Sequence, residues 1–589
     1  MRTFEISVAA CALLGLAIAQ DDPFALPLCN GVDIKDATID SLQTWMTEGR
    51  LTSQDLVTCY LERIEQTNGY LASISEVNPD ALEIAAAMDE ERAAKGIRGP
   101  MHGIPFVVKD NMYTDDKHNT SEGTLVLLGG KYVAESTVVT KVRNAGGVLL
   151  GHSTMSEAAD HRALSQYASG YSSRTGQGRN PYNLTQSTAG SSSGSVIAIR
   201  SNQVPVALGT ETHGSLVHPS CQLGLYTIKS TPGLMSRFGI VTGSYYHDTA
   251  GPLTRSIKDA AILLDIMKGI DSRDNLTFEA AGKYPTDGYT SHVVGKDALR
   301  GMKLGVPWEA YWASNGHVNS PGNREQFEET FATLEAAGAE LYNITDVNPF
   351  AKVTNPFGGG MPASTPPELN HLIAFSTLMS VGYAEWLRNW TFPEDDERYG
   401  MSTIEEMAEW NRANNDTTGA LGNGTWWWNN VTGQSFYDNA VATNGSMGSE
   451  FWTAFGWGRS MARQAIDNAH AYQLENGTVI ALDGVLIPNG RDGNQGNACA
   501  SVPAYAGYPV AQVPIGMDGY SVPFGLCIYG HQYGEAKLVT VASAMEDLFQ
   551  WNEEPMWYNY GTAEGPWDAF WPGYTCSPAS LGEFGCERA

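Results

Sequence analysis

Positive charge is scarce in this chain. Lys and Arg number 36 against 65 Asp and Glu, a formal net charge of −29 over 589 residues. Such a field repels phosphate backbones, so nucleic acid is not expected as a partner. The spacings of metal and redox chemistry are missing too. No C-x-x-C occurs among the 8 cysteines and no H-E-x-x-H among the 12 histidines, which argues against zinc-ribbon, thioredoxin-like and zincin-type sites. No G-x-x-x-x-G-K-[ST] phosphate loop is present. The expectation is therefore no cofactor and no metal. Beyond the N-terminus no apolar run approaches the ~20 residues that a spanning helix needs, so no membrane span is expected. Neither an internal repeat nor a clear linker divides the chain, and a single domain is expected although length alone suggests more.

What is present at the N-terminus is a leader-like pattern. Arg2 precedes the apolar stretch Val8 to Ala19, which ends in the small-x-small triplet Ala17-Ile18-Ala19 before Gln20-Asp21-Asp22. This layout predicts a secretory signal peptide over 1–19 and an extracellular protein. The competing reading is a short hydrophobic helix of the folded protein. Sequons at Asn119, Asn183, Asn275, Asn343, Asn389, Asn415, Asn423, Asn430, Asn444 and Asn476 agree with secretion, and their cluster from Asn389 to Asn444 predicts a glycosylated, solvent-facing segment. Loss of Cys11 with the leader leaves Cys29, Cys59, Cys221, Cys499, Cys527, Cys576 and Cys586, an odd number, so at least one thiol stays free or pairs between chains. Cys576 and Cys586 are expected to bridge and close a short C-terminal loop.

Periodicity predicts an alternation of helices and strands. Thr52 to Gly69 is a helix with a capping-box-like start at Thr52 and Asp55, and Leu56, Val57, Tyr60, Leu61 and Ile64 share one face. Pro79 to Lys95 is a second helix. Gly103 to Val108 is a buried strand that delivers Lys109. A helix starting at Ser136 stops at Gly146-Gly147, and Val148 to Leu150 follows as a strand. Ser195 to Arg200 and Ile257 to Ile270 read as helices, and Val204 to Leu208 as a strand. After the middle of the chain the pattern resumes at Val479 to Pro488, Tyr508 to Ile515, Phe524 to Gly530 and Glu535 to Phe549. This alternation predicts an α/β domain with a parallel or mixed sheet. Residues 348–458 differ. They carry a triple glycine, several prolines, the sequon cluster and most of the tryptophans, including Trp426-Trp427-Trp428, and read as an insertion on one face. Trp386, Trp390, Trp410, Trp452 and Trp457 either line an aromatic cleft or serve as core and cover.

Two serine clusters hold the candidate chemistry: T-A-G-S-S-S-G-S at Thr188 to Ser195 and G-T-E-T-H-G-S at Gly209 to Ser215. Small residues let backbone N–H groups approach a substrate, and such groups stabilise the oxyanion of acyl transfer. Upstream, G-I-P-F-V-V-K-D-N (Gly103 to Asn111) places Lys109 at the end of an apolar run. G-S-S-S-G also matches a nucleophile-elbow pattern, but the polar, turn-like Asn180 to Ser187 stands where that motif needs a strand. His213 and His218 flank Ser215 and are the alternative bases, with Glu211 as the nearby carboxylate.

Gly103 to Asn111, Asn180 to Ser195, Val206 to Pro219 and Asp248 to Asp259 together resemble the amidase signature family of serine amide hydrolases. The family text, close to G-G-S-S-G-G-S and then G-T-D-x-G-G-S, stands here as Ala189 to Ser195 and Gly209 to Ser215, with Ser191 and Ser215 24 positions apart. The likeness continues in Pro252-Leu253-Thr254-Arg255, Gly507-Tyr508-Pro509 and Pro523-Phe524-Gly525, and covers most of residues 50–550. It implies a large mixed sheet covered by helices on both faces: one catalytic domain over 20–589, with the signature core at about 100–260, the insertion at about 348–458 and a tail at about 550–589. By position, Ser215 would be the nucleophile and Lys109 the base. Ser191, held by a cis peptide bond, would bridge them. The N–H groups of Thr212, His213, Gly214 and Ser215 would form the oxyanion hole, and Gly190 and Ser192 would bind substrate. His213 departs from a common glycine, Val217 from a common arginine and Ser193 from a glycine.

A lysine base must be neutral. From a reference pKa near 10.4, work near pH 7 needs a fall of about 3, or about 4 kcal/mol, which burial can supply. The competing reading is a partly exposed Lys109 paired with Asp110. The function implied by the resemblance is a secreted amide hydrolase that forms an acyl-Ser215 ester and releases ammonia or an amine from a small-molecule amide. An esterase or carbamate-cleaving enzyme is the near alternative, and a non-catalytic binding protein of the same fold the remote one. Relatives that serve tRNA-dependent glutamine synthesis fit poorly with a leader and an acidic surface.

Overall fold

A computed structural model of the chain describes residues 24–163, 168–312, 323–345, 371–414, 433–490, 497–557, 574–576 and 586–588. The leader-like segment, Trp426 to Trp428 and the sequons at Asn415, Asn423 and Asn430 lie outside the described residues.

One sheet of eleven strands organises the molecule. In chain order these are β1 (Ile74–Val77), β2 (Pro105–Lys109), β3 (Val148–Ser153), β4 (Val206–Glu211), β5 (Tyr226–Lys229), β6 (Thr249–Thr254), β7 (Lys303–Val306), β8 (Glu340–Asn343), β9 (Gly484–Asn489), β10 (Val510–Met517) and β11 (Pro523–Tyr529). Across the sheet they lie β1-β3-β2-β4-β6-β5-β10-β11-β9-β7-β8. The β3-β2-β4 and β9-β7-β8 neighbours are parallel and the remaining pairs antiparallel, so the sheet is mixed as expected. Every residue of β2, β3, β4, β5, β6, β9 and β11 is buried. Successive side chains on a strand point to opposite faces, so both faces of these strands are covered.

The expected elements form with small shifts. The first long helix is Ser53–Leu71, and its Thr52–Asp55 capping box is present on both sides of the exchange. It runs past Gly69 and ends at Ala72, whose backbone is left-handed. The helix after the first serine cluster is Ser193–Arg200, so it begins two residues before the expected Ser195. The shift matters because it leaves only Gly190 to Ser192 as a turn. The Glu535–Phe549 helix matches its expected bounds.

Where it is described the insertion is mostly helical, with helices His371–Leu387, Ile404–Ala413, Ser435–Thr443 and Ser449–His470, and a two-residue strand Trp390–Thr391 that pairs with Lys131–Tyr132. Trp386 and Trp390 do not line a cleft. Their rings stack 4.6 Å apart inside an apolar cluster with Tyr113, Phe375, Tyr383 and Phe392. Trp452 is exposed, and Trp457 sits 5.5 Å from the His371 ring. The insertion thus packs on the loop that follows Lys109 rather than standing apart from the sheet.

Cys29–Cys59 and Cys499–Cys527 are disulfides, and Cys221 is a buried free thiol. The expected Cys576–Cys586 bridge falls on residues described by their backbone alone, where the two stand opposite one another in a short antiparallel ribbon. Among the described residues no helix is long and apolar enough to cross a membrane, and no group of His, Cys, Asp and Glu is arranged to hold a metal ion.

Candidate active site

Parallel pairing of β2 and β4 brings the two motifs together. Val108 and Leu208 are partners in that register, so Lys109 at the end of β2 comes beside Thr210 near the end of β4. Lys109 is fully buried, and its Nζ lies 2.7 Å from Ser191 Oγ, 3.0 Å from Thr210 Oγ1 and 3.3 Å from the Thr210 carbonyl. Ser191 Oγ in turn lies 2.9 Å from Ser215 Oγ. An amine and two hydroxyls therefore form one hydrogen-bonded row, with Ser215 at its outer end, 5% exposed.

The turn that presents Ser191 leaves no spare room. The Gly190–Ser191 peptide is cis. A Cβ on Gly190 would overlap Ser156 Oγ and stand 2.5 Å from Ser169 Oγ, so a larger residue there would have to displace both hydroxyls. The Ser156 N–H donates to the Ser191 carbonyl at 3.1 Å, and the Ser192 N–H to the Ser215 carbonyl at 3.3 Å. The Ser192 side chain, just before the 193–200 helix, is fully buried and donates to the Thr210 carbonyl at 3.1 Å. Gly190 is half-buried.

After β4 the chain turns through Thr212, His213, Gly214 and Ser215 into the short helix Val217–Gln222. Gly214 takes φ +89°, a left-handed conformation that suits glycine. Glu211 Oε2 accepts the N–H groups of Leu216 (2.8 Å) and Val217 (3.1 Å) and so fastens the far side of the turn. Thr212 Oγ1 donates to Asp248 Oδ1 at 2.6 Å, and Asp248 Oδ2 accepts the Ser244 N–H at 2.8 Å. His213 turns Nε2 toward Ser501 Oγ, 2.9 Å away, rather than toward Ser215. Thr210, Glu211, Asp248 and Ser501 as braces of this site were not foreseen from the sequence. Glu211 sits inside a recognised motif, but Ser501 reaches the site from 288 positions away, which no local pattern reveals.

Burial pulls the Lys109 amine down to about 7, against the opposing influence of the Asp160, Glu122, Glu211 and Asp248 carboxylates. The same burial pushes Glu122 up to about 8, although Tyr383 Oη donates to it at 2.8 Å, and Asp248 up to about 6. Burial thus favours the uncharged form of both the Lys109 amine and the Glu122 carboxyl. The pairing of Lys109 with Asp110 is not found. Asp110 is engaged by Arg174 Nη1 (3.1 Å), His152 Nδ1 (3.0 Å) and Ser121 Oγ (2.6 Å). Burial raises its carboxyl, but Arg174 and these hydrogen bonds outweigh that and hold it down at about 2. His213 is lowered to about 3, first by burial and then by His218, so it is neutral near pH 7.

Such a row can move a proton from an outer hydroxyl through an inner one to a neutral amine, and the adjacent turn can offer backbone N–H groups to an oxyanion. The chain is similar to known proteins. The Amidase family model matches residues 55–355. A putative amidase of Schizosaccharomyces pombe is 36% identical over 540 residues, covering 91% of this chain and 89% of its own length. A probable amidase of Arabidopsis thaliana is 32% identical over 521 residues, covering 88% and 91%. Among solved structures, the native peptide amidase of Stenotrophomonas maltophilia superposes with a TM-score of 0.74 at 30% identity, covering 89% of this chain and 99% of its own. With more than half of its length matched by the family model and a full-length relative above 30% identity, the chain belongs to the amidase signature family and is an amidase-type hydrolase.

Proposed function

We propose that this amidase is a secreted enzyme that cleaves carboxamides through an acyl-Ser215 ester. The observation that carries the reading is the continuous row from Lys109 Nζ through Ser191 Oγ to Ser215 Oγ, with steps of 2.7 and 2.9 Å. Ser215 Oγ attacks the carbonyl carbon as its proton passes to Ser191 Oγ and the Ser191 proton passes to Lys109 Nζ. The oxyanion rests on N–H groups of the Thr212 to Ser215 turn. The protons return along the row to the departing nitrogen, ammonia or amine leaves, and water cleaves the ester by the same relay. Lys109 serves as the ultimate base, Ser191 as the bridge and Ser215 as the nucleophile.

The test is ammonia release from a panel of amides that starts with peptide amides, the class named for the solved relative, measured beside Ser215→Ala. Wild type should release ammonia and the variant should not. Turnover that survives in Ser215→Ala would overturn the mechanism, and esters cleaved while every amide is refused would replace amidase with esterase chemistry. Secretion is supported by the leader pattern and by the two disulfides, which suit an oxidising compartment. Protein recovered from culture medium should begin near Gln20 on N-terminal sequencing; a retained Met1 would refute the leader.

A further inference from the structure

The oxyanion turn is clamped from two sides, and one clamp belongs to a distant helix. On the inner side Thr212 is tied to Asp248. On the outer side the His213 imidazole lies 2.9 Å from Ser501 Oγ on the helix Asn497–Ala506. One turn further along that helix, Tyr505 puts its ring 6.4 Å from His213, 5.5 Å from His247 and 4.5 Å from His371. His247 adjoins Asp248, and His371 opens the first described helix of the insertion, so this ring cluster joins three separate segments against the turn. A Cβ placed on Gly214 would stand 3.1 Å from the Ala500 Cβ, which shows how closely the helix backs the turn.

The helix itself is pinned at both ends. Near its start Cys499 is bonded to Cys527 of β11. Near its end, two cations hold its carbonyl side: the fully buried Lys229 donates to the Tyr508 carbonyl at 2.9 Å and the Pro503 carbonyl at 3.4 Å, and Arg463 Nε donates to the Ala506 carbonyl at 2.9 Å. Cations at the last carbonyls of a helix satisfy acceptors that the helix leaves open. Ser501 is therefore a fixed point, and a side chain hydrogen-bonded to a fixed point transmits that fixity to its own backbone.

We infer that His213 and Ser501 are positioning residues that hold the oxyanion turn at its working geometry from the 497–506 helix. The inference rests on the proposed acyl-serine mechanism for its effect on rate, but the contact itself does not. Oxyanion donors act because they are already aimed when charge develops, so loosening them costs rate more than substrate binding. His213 fills a position that needs no side chain for chemistry, and this contact gives it a use.

The test joins kinetics with amide hydrogen exchange on the full enzyme. Ser501→Ala should lower kcat about tenfold on an amide substrate, a smaller loss than deletion of a whole oxyanion donor, with KM within about twofold. Exchange in peptides spanning 209–217 should quicken while the 193–200 helix stays as protected as in wild type. Ser501→Thr, which restores the hydroxyl, should recover both readouts. His213→Ala with Ser501→Ala should be no worse than the poorer single variant, because both remove one contact. Wild-type exchange and kcat in Ser501→Ala, or additive losses in the double variant, would overturn the brace. Residual turnover in Ser215→Ala would instead sink the mechanism, while the exchange data would still decide the brace on their own.

Discussion

Lys109 is a residue that the fold bears at a cost. Its pKa stands near 7 in the folded chain against 10.5 for the free side chain. Folding therefore opposes its proton, by about 5 kcal/mol at full effect. The sign is that of a base with a depressed pKa: the penalty is complete below about pH 7 and fades as pH climbs toward 10.5. Lys109→Met should abolish turnover and yet raise the melting temperature, most clearly at pH 6 and least at pH 10. Calorimetry of the two proteins across that range checks this, and a melting temperature that falls at pH 6 contradicts it. The same value sets an acid limit on activity, since the protonated amine accepts nothing. Below pH 7, kcat/KM should fall about tenfold per pH unit on a neutral amide, following the base of the free enzyme. A profile flat to pH 5 would mean another base. Ser191 and Ser215 were legible as candidates because small residues crowd around them in sequence, and Lys109 because it ends the apolar run Ile104 to Val108. Asp248 and Ser501 were not, because an aspartate or a serine in isolation has no signature, and only folding brings them to the turn.

Among elements, the strand-turn-helix unit from β4 to the 217–222 helix shows where local sequence suffices and where it fails. The burial of β4 follows from its apolar start, Val206-Ala207-Leu208. The turn depends on Glu211, whose carboxylate replaces the missing helical partners of two N–H groups. Glu211→Ala should strand both donors in the interior at about 1–3 kcal/mol each, whereas Glu211→Gln keeps an acceptor and much of the stability. Denaturant titration of both variants measures the difference; equal stabilities would deny Glu211 this part. Other elements teach the same lesson from both sides. The Ser53–Leu71 helix was readable because Thr52 and Asp55 form its cap in the open sequence. The Asn497–Ala506 helix was not, because Pro503 lies inside it and its short Ala- and Ser-containing stretch has little amphipathic contrast. The insertion helices were hidden by the surrounding glycines, prolines and sequons, although His371–Leu387 buries most of its circumference.

For the whole molecule, the sequons divide by their surroundings. Asn476 stands at an exposed hairpin tip, with its side-chain oxygen accepting the Thr478 N–H at 3.0 Å, and Asn444 is exposed at the end of the Ser435–Thr443 helix. Asn119 is half-buried, its amide bonded to Glu76 and its following Thr120 and Ser121 buried. A glycan needs open space beyond the amide nitrogen, so secreted protein should carry sugar at Asn476 and Asn444 and none at Asn119. Peptide mapping after enzymatic deglycosylation in heavy water reads this site by site; sugar at Asn119 would conflict with the packing around Glu76. The alternation of strands and helices pointed to an α/β sheet, but strand number and order came from contacts between distant segments, which periodicity does not encode.

Lys109 ends β2 and Ser215 lies in the turn that follows β4, and these two strands are adjacent and parallel in the buried middle of the sheet. The ladder places Lys109, but the loop after it and the turn after β4 are also held by the helices of residues 371–470, through Tyr383 on Glu122, the His371 ring beside Tyr505, and Arg463 on the Ala506 carbonyl. A graft of that helical cover from a relative should therefore cost turnover unless it keeps His371, Tyr383 and Arg463, the side chains through which the cover reaches the catalytic interior.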